Sequence, residues 1–282
     1  MPHFVRSVRR VTWSRGNRVV ILGSILLSGC GAPHSRPAAV APAVHRLAVE
    51  APRRALPEVD CREQKCIALT LDDGPGPYTA KALRILAEHH VKATFFLVGE
   101  MVEEFPQLVR AEVAAGHEIG NHTWSHPDLT RLGTAAVRRE MARTAAAIKA
   151  ASGVTVSIMR PPYGATDARI RRLVPLPEIL WSVDTLDWRF RTVVSITHRA
   201  LRGARPGGII LLHDIHPMSV AALPGIIEAL EKKGYTFVTV SHLLADKHLR
   251  AGHEYFSRSM ILLAVIVAQI TLGGNDRHQA AR

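Results

Sequence analysis

Residues 66–75 read CIALTLDDGP, an apolar run that ends in two acidic residues and a Gly-Pro pair. The apolar run, residues 66–71, has the length and composition of a buried β-strand. Asp72 and Asp73 follow it directly. Although Asp, Gly and Pro also favour a simple turn, two adjacent acids at the end of a buried strand favour a functional site. The stretch therefore predicts a strand that carries two carboxylates at its carboxyl end.

Short apolar runs followed by polar residues recur along the chain. Further strands are predicted at residues 94–98, 117–119, 156–159, 179–183, 208–212 and 236–240. Helices are predicted to begin at Thr79 and to cover residues 106–115, 134–151 and 219–233. This order indicates about seven βα units, and five of the strands are followed at once by a cluster of Asp, His, Arg, Tyr or Trp. Because the carboxyl ends of parallel strands lie on one face of a barrel or open sheet, these clusters are predicted to converge.

The first 29 residues have the pattern of an export signal. Five arginines precede an apolar stretch, residues 19–27, that is shorter than the ~20 residues needed to cross a bilayer as a helix. The stretch ends in LSGC, residues 27–30, which resembles the bacterial lipobox. This predicts that residues 1–29 are removed and that Cys30 carries a lipid. An ordinary secretory signal with an incidental cysteine is the alternative.

The remaining chain divides into three parts. Residues 30–60 are rich in Ala and Pro and are predicted to be a tether, residues 61–246 a folded domain, and residues 247–282 a tail of unknown role. The tail contains an apolar segment, residues 260–272, that is too short to span a membrane comfortably. It is an extra packing helix, a segment lying on a surface or a non-native extension. We expect the protein to be a monomer.

The chain is strongly basic, but part of its charge belongs to the export signal. Without the five arginines of that signal, the formal net charge falls from +12 to +7. The remaining basic residues are scattered and have no interleaved aromatic residues, so no nucleic-acid partner is predicted. They indicate attraction to an anionic envelope surface or a solvated basic face.

Two cysteines, Cys61 and Cys66, remain once Cys30 is assigned to the lipid. In an oxidising compartment they can form a disulfide that borders the first strand, or they remain two free thiols. Two cysteines alone are a poor zinc site.

A pair of histidines, His122 and His126, follows a predicted strand. Among 15 histidines, roughly one pair at this spacing is expected by chance, so the setting matters more than the spacing. The pair lies in a polar turn closed by Pro127, and a helical turn would put both imidazoles on one side to bind one cation. Two imidazoles and a carboxylate from Asp72 or Asp73 leave open positions on a metal such as zinc, which a hydrolytic site requires.

Five segments together resemble the ordered motifs of the polysaccharide deacetylase family, also called the NodB-homology or carbohydrate esterase 4 group. The segments are TLDDGP (70–75), HTWSH (122–126), RPPYG (160–164), DTLDW (184–188) and LLH (211–213). The resemblance covers residues 66–244, and Leu71 stands where the first motif commonly has Phe. It implies a distorted (β/α) barrel with about seven parallel strands and a metal-dependent hydrolase.

The resemblance also implies separate roles for the two aspartates. Asp73, His122 and His126 are expected to bind a divalent metal, and Asp72 is expected to be the general base. The metal is expected to be zinc, with cobalt, manganese and iron as alternatives.

His213 resembles the general acid that protonates the departing amine. Asp187 is the expected carboxylate partner that raises its pKa, and Asp184 is the fallback. Arg160 is expected to hold Asp72 ionised through a charge-assisted pair, or only to bridge loops.

Three further residues are expected to shape the pocket. The backbone N–H of Tyr163 is expected to be a second oxyanion donor. Trp188 and Leu212 are expected to wall the space that receives the acetyl methyl group, with an ordinary place in the core as the alternative.

These roles predict removal of N-acetyl groups from amino-sugar polymers outside the membrane. Peptidoglycan N-acetylglucosamine is the favoured substrate and chitin-type oligomers come next. The alternatives are an O-acetyl xylan esterase with the same machinery, a noncatalytic glycan-binding lipoprotein and a metal-dependent amidase acting on a small amide.

Overall fold

Strand β1, Lys65–Asp72, is the central strand of the computed structural model, which describes residues 59–259. The export signal predicted at residues 1–29, the lipid attachment at Cys30, nearly all of the tether and the apolar segment 260–272 lie outside the described residues. Within residues 59–259, no helix combines the length and the apolar character that a membrane span requires.

Short strands alternate with helices along the described chain. The other strands are β2 Thr94–Leu97, β3 Glu118–Asn121, β4 Glu178–Ile179, β5 Val183–Asp184, β6 Ile209–His213, β7 Tyr235–Val238 and β8 Glu254–Tyr255. The helices are α1 Thr79–Glu88, α2 Gly99–Glu104, α3 Pro106–Ala114, α4 Thr134–Ser152, α5 Ala168–Leu173, α6 Val193–Gly203, α7 Pro217–Lys232 and α8 Val240–Leu243.

The strands form a distorted (β/α) barrel in which all strand pairs are parallel. One sheet has the order β3-β2-β1-β6-β5, β7 pairs with the amino half of β1, and β4 pairs with β8. Isolated bridges from Met159 to Asn121 and to Glu178 connect β3 with β4. The ring is not closed, because β4 and β5 are separate pieces of one segment and the ladder is interrupted between them. The predicted fold class is confirmed.

Two predicted strands differ in the structure. Residues 156–159 contribute only the isolated bridges at Met159, and the Pro161-Pro162 pair that follows cannot donate to a ladder. Residues 179–183 are divided between β4 and β5 because the segment changes its partner. The Leu180 N–H donates to the carbonyl of Tyr255, whereas the Ser182 N–H donates to that of Ile209.

β1 is buried on both faces, which explains its continuous apolar sequence. Alternate residues point to opposite sides of a strand. Cys66 and Ala68 pack with Phe96 inside the barrel, whereas Leu69 and Leu71 pack in the outer core to which the helices contribute. The same alternation turns Asp72 inward, toward the carboxyl end of the barrel.

The packed chain continues beyond the boundary predicted at residue 246. β8 pairs with β4, and the Arg258 N–H donates to the carbonyl of Gly207 at 2.8 Å. The first part of the predicted tail 247–282 is therefore a strand of the barrel, and the predicted boundary lies too early. The sequence lacked a signal here because β8 has only two residues.

The structure contains a disulfide between Cys61 and Cys66. It joins the segment that enters the barrel to the start of β1, and its Cα atoms are 5.3 Å apart. Of the two states that the sequence left open, the structure has the bonded one.

Candidate active site

A pocket of about 460 Å³ opens at the carboxyl ends of the strands. The acids at the carboxyl end of β1, the histidine pair after β3 and His213 at the end of β6 meet in its wall. The lining residues are Asp72, Asp73, His122, His126, Pro161, Tyr163, Trp181, Asp184, Trp188, Leu211 and His213. The predicted convergence of the strand-end clusters is confirmed.

Asp73, His122 and His126 each bring one ligand atom to the same part of the pocket, and these atoms lie within 4.8 Å of one another. Oδ1 of Asp73 is 3.4 Å from Nε2 of His122 and 3.3 Å from Nε2 of His126. This oxygen is buried, and it has no hydrogen-bond partner among residues 59–259. A buried carboxylate oxygen without a donor, facing two imidazole nitrogens, fits a divalent cation.

A backbone contact fixes the orientation of His122. Its Nδ1 lies 2.7 Å from the carbonyl oxygen of Arg160. Because a carbonyl can only accept, Nδ1 carries the proton and the lone pair of Nε2 faces Asp73. This is the tautomer that binds a metal through Nε2.

The two histidines lie on a loop, so the predicted helical turn is wrong. Residues 122–126 form neither a helix nor a helical turn, and the φ angles of Thr123 and His126 are 69° and 57°. These left-handed values bend the loop so that both imidazoles still face Asp73.

The shape of this loop depends on two residues that were not predicted from the sequence. Glu140 on α4 accepts hydrogen bonds from the N–H groups of Trp124 and Ser125 at 2.8 and 2.9 Å. Oδ1 of Asn121 accepts from the N–H of Thr123 at 2.9 Å. These side chains accept hydrogen bonds from backbone N–H groups that would otherwise bond to carbonyl groups within a helical turn. They therefore stabilise the loop in place of a helical turn. A glutamate on an amphipathic helix gives no sequence signal for such a role.

Arg160 is fully buried beneath the pocket. Its Nη1 donates to Oδ1 of Asp72 at 2.6 Å and to Oγ1 of Thr70 at 2.8 Å. Its Nε and Nη2 donate to the carbonyl oxygens of Ile179 and Leu180 at 2.9 and 3.0 Å. The guanidinium thus connects Asp72 to the segment between β4 and β5. Oδ2 of Asp72 remains on the pocket side, 3.7 Å from Nε2 of His122.

His213 is held by the buried carboxylate of Asp187. Oδ1 of Asp187 lies 2.8 Å from Nδ1 of His213, and Oδ2 accepts from the His213 backbone N–H at 2.8 Å. Ser219, in the first turn of α7, donates to Oδ2 of Asp187 at 2.6 Å. Asp184, the fallback partner, instead accepts the N–H of Leu186. Ser219 was not predicted, because a serine near a helix start has many ordinary explanations.

The charges of the pocket shift the pKa values of its groups. Burial lowers the pKa of His213, but the hydrogen bond and charge of Asp187, with the charges of Asp72 and Asp73, raise it to about 9. Burial raises the pKa of Asp73, but the imidazoles of His122 and the other pocket histidines lower it below its ordinary value. These shifts favour a protonated His213 and an ionised Asp73 at neutral pH.

The prediction that Leu212 walls the pocket is wrong. Leu212 is fully buried in the outer core, and Leu211 lines the pocket in its place. Alternation along β6 explains the difference, since Leu211 and His213 are two residues apart and share a face. Strand alternation counted back from His213 predicts that Leu211, and not Leu212, lies on the pocket face. Trp188 lines the pocket and is 48% exposed.

Tyr163 lies at the pocket rim, in a 3₁₀ turn at Pro162–Gly164. Its ring packs edge-on against that of His126, with centroids 4.7 Å apart. Its backbone N–H makes no backbone hydrogen bond within residues 59–259. This donor is therefore not taken up by another backbone group in the described part of the chain.

Five non-glycine residues in the loops that border the pocket have a left-handed backbone. They are Asp73, Thr123, His126, Tyr163 and Leu186. Such conformations are unfavourable for side chains with a Cβ, so the surrounding contacts must hold them, and they concentrate at functional sites.

Known proteins are similar to this chain in sequence and fold. Residues 60–175 match the family model described as polysaccharide deacetylase. The chain is 41% identical over 206 residues to peptidoglycan-N-acetylglucosamine deacetylase PgdA of Listeria monocytogenes, a match covering 72% of this chain and 44% of that protein. The chain therefore spans less than half the length of this relative.

Two solved structures match this chain over nearly their whole length. The structure of the T48 deacetylase with substrate has a TM-score of 0.69 and 46% identity, and the match covers 70% of this chain and 99% of that chain. A family 4 acetyl xylan esterase from Clostridium thermocellum, in complex with a cobalt ion, has a TM-score of 0.65 and 35% identity, covering 68% and 98%.

Proposed function

Since the chain belongs to the polysaccharide deacetylase family, we propose that it removes N-acetyl groups from amino-sugar residues of a cell-wall polysaccharide, with peptidoglycan N-acetylglucosamine as the favoured substrate. The observation that carries this proposal is one pocket that combines a metal-ligand cluster, a second aspartate and a histidine paired with a buried carboxylate. Relatives named for peptidoglycan deacetylation support the choice of substrate.

We propose that Asp73, His122 and His126 hold a divalent metal. Zinc suits two nitrogen ligands and one oxygen ligand with a position left open, and cobalt, manganese and iron fit the same set. Bound there, such a metal would polarise the acetamide carbonyl and make a water molecule easier to deprotonate.

Asp72 is positioned to be the general base. Arg160 occupies its Oδ1, so Oδ2, which faces the pocket, is the oxygen free to take a proton from the attacking water. The oxygen of that water attacks the acetamide carbonyl carbon. The Tyr163 N–H would donate to the oxyanion that develops there.

His213 is positioned to be the general acid. Because Asp187 occupies its Nδ1, Nε2 is the nitrogen that can donate a proton to the departing amine as the C–N bond breaks. The products are acetate and a free amino sugar. Trp188 and Leu211 wall the space beside these groups, where the acetyl methyl group would lie.

Replacing Asp187 by asparagine is expected to shift the alkaline limb of the pH–rate profile. His213 donates only while protonated, so activity is present below its pKa and is lost as the pH rises through it. Without the Asp187 charge this pKa falls from about 9 toward its ordinary value, and the limb moves to lower pH by about one unit or more. Initial rates between pH 6 and pH 10 measure the shift.

Asp184→Asn is the matched control for this experiment, since Asp184 makes no hydrogen bond to His213. We expect its alkaline limb to stay in place, and Ser219→Ala to give a smaller shift than Asp187→Asn. An unmoved limb in Asp187→Asn would remove His213 from the role of general acid.

The proposal includes the place of action. A chain exported through residues 1–29 and anchored by lipid at Cys30 would lie at the outer face of the membrane, beside the cell wall. The disulfide between Cys61 and Cys66 is consistent with an oxidising compartment.

Acetate release tests the function directly. The purified, metal-loaded chain is incubated with peptidoglycan, N-acetylglucosamine oligomers, acetylated xylan and small acetamides, and acetate is quantified over time. We expect acetate from the amino-sugar polymers. Acetate from xylan alone would assign an esterase, as in the Clostridium thermocellum relative. No acetate from any glycan, with metal shown to be bound, would leave a noncatalytic binding protein.

A further inference from the structure

The segment between Trp188 and His213 is basic and borders the active-site pocket. It contains five arginines and no acidic residue. Arg189, Arg191, Arg199 and Arg202, which we call the arginine surface, form no ion pair with any carboxylate of residues 59–259. Their positive charge is therefore not neutralised by the part of the chain that the structure describes.

Two of these arginines lie beside the aromatic ring of Phe190. Phe190 is 37% exposed, and the guanidinium carbons of Arg189 and Arg199 lie 5.2 and 4.5 Å from its ring centre. A guanidinium that stacks on a ring keeps the N–H groups at its edge free. The edge of a guanidinium can form two parallel hydrogen bonds with one carboxylate.

The arginine surface is continuous with the pocket. Trp188 lines the pocket and directly precedes Arg189, and Nε of Arg191 donates to the carbonyl of Trp188 at 3.4 Å. A polymer that extends from the pocket past Trp188 would therefore meet Arg189 and Arg191.

A second pocket, of about 380 Å³, lies between β5 and α6. Its polar lining includes Ser195, His198, Arg199, Arg202 and Asp184. Asp184 also lines the active-site pocket. Its carboxylate accepts the Leu186 N–H and is the one acidic group in this lining, against two guanidinium groups.

Building on the deacetylase function proposed above, we propose that the arginine surface binds carboxylates of the substrate. The preferred substrate is then an acidic amino-sugar polymer, such as a glycan bearing peptides with free carboxyl groups, and a neutral polymer is a poorer one. Charges beside a binding cleft concentrate ligands of opposite charge and speed their association.

A chemically matched pair of substrates tests the proposal. Soluble peptidoglycan oligomers are compared with the same oligomers after their carboxyl groups have been converted to methylamides. At low ionic strength we expect kcat/KM for the acidic form to be about tenfold higher, and this preference to shrink as salt is added. Fluorescence anisotropy of labelled oligomers measures binding separately from turnover.

Variants then locate the preference. The double variants Arg189→Gln/Arg191→Gln and Arg199→Gln/Arg202→Gln are each expected to lower the ratio of acidic to neutral kcat/KM toward one. Lys232→Gln/Lys233→Gln removes two exposed charges where α7 ends, beside the amino end of β1, and is expected to keep the wild-type ratio.

The outcomes separate this proposal from the function on which it rests. Equal kcat/KM for both forms in the wild type, or an unchanged ratio in both arginine variants, would overturn the arginine surface while the deacetylase function stands. No acetate from either form would overturn the function. The anisotropy data would then decide for the surface if the acidic form binds more tightly, and against it if both bind equally.

Discussion

Replacing Asp72 by asparagine is expected to lower kcat by about 10²–10⁴-fold while the metal stays bound. Asparagine keeps the shape of the side chain and can still accept from Arg160, but its amide takes no proton from water. The proposed ligands Asp73, His122 and His126 remain unchanged. Acetate release and the metal content of the purified variant are measured on the same sample.

Asp246→Asn is the matched control, because Asp246 lies beside Cys61 near the amino end of β1, remote from the pocket. It is expected to retain wild-type turnover. Turnover by Asp72→Asn within tenfold of the wild type would exclude Asp72 as the base. Loss of metal from Asp72→Asn would instead make Asp72 part of the metal site.

Replacing Arg160 by methionine is expected to lower the free energy of unfolding by about 3–5 kcal/mol. The change removes four hydrogen bonds from a fully buried position and leaves the carboxylate of Asp72 without its guanidinium partner. Unfolding in urea at neutral pH measures the loss. Lysine at this position keeps the charge but not the planar fork, so Arg160→Lys is expected to recover only part of it.

A double-mutant cycle identifies the source of this cost. In the Arg160→Met background, Asp72→Asn removes the unpaired buried charge and is expected to restore part of the stability. The coupling between the two positions should therefore exceed about 0.5 kcal/mol. Additive effects would show that Arg160 only bridges loops, the alternative that its sequence context left open.

The sequence predicted the parts of the fold that depend on local pattern. The apolar run before Asp72 indicated β1, and the helices at 106–115, 134–151 and 219–233 correspond to α3, α4 and α7. The strand predictions are wrong or missing where hydrogen bonds to segments distant in the sequence determine the structure. β4, β5 and β8 have two residues each and exist because their neighbours accept their hydrogen bonds, which no local period reveals.

The candidate site shows the same division. The predicted site residues inside the five motifs lie in the pocket wall or directly behind it, apart from Leu212, which strand alternation turns into the outer core. Glu140 and Ser219 were missed because they reach the site from helices that carry none of the motifs. Their identity follows from the folded arrangement alone, in which α4 and α7 pack against the loops they hold.

The left-handed residues around the pocket bear on how relatives of this chain should be interpreted. Loops that adopt unfavourable backbone angles keep their shape only while their supports are present, and supports such as Glu140 lie outside the motifs. A chain that retains all five motifs but has lost these supporting residues would be identified as an enzyme from its sequence and still be inactive. Whether a distant relative is active is therefore better judged from the layer behind the motifs than from the motifs themselves.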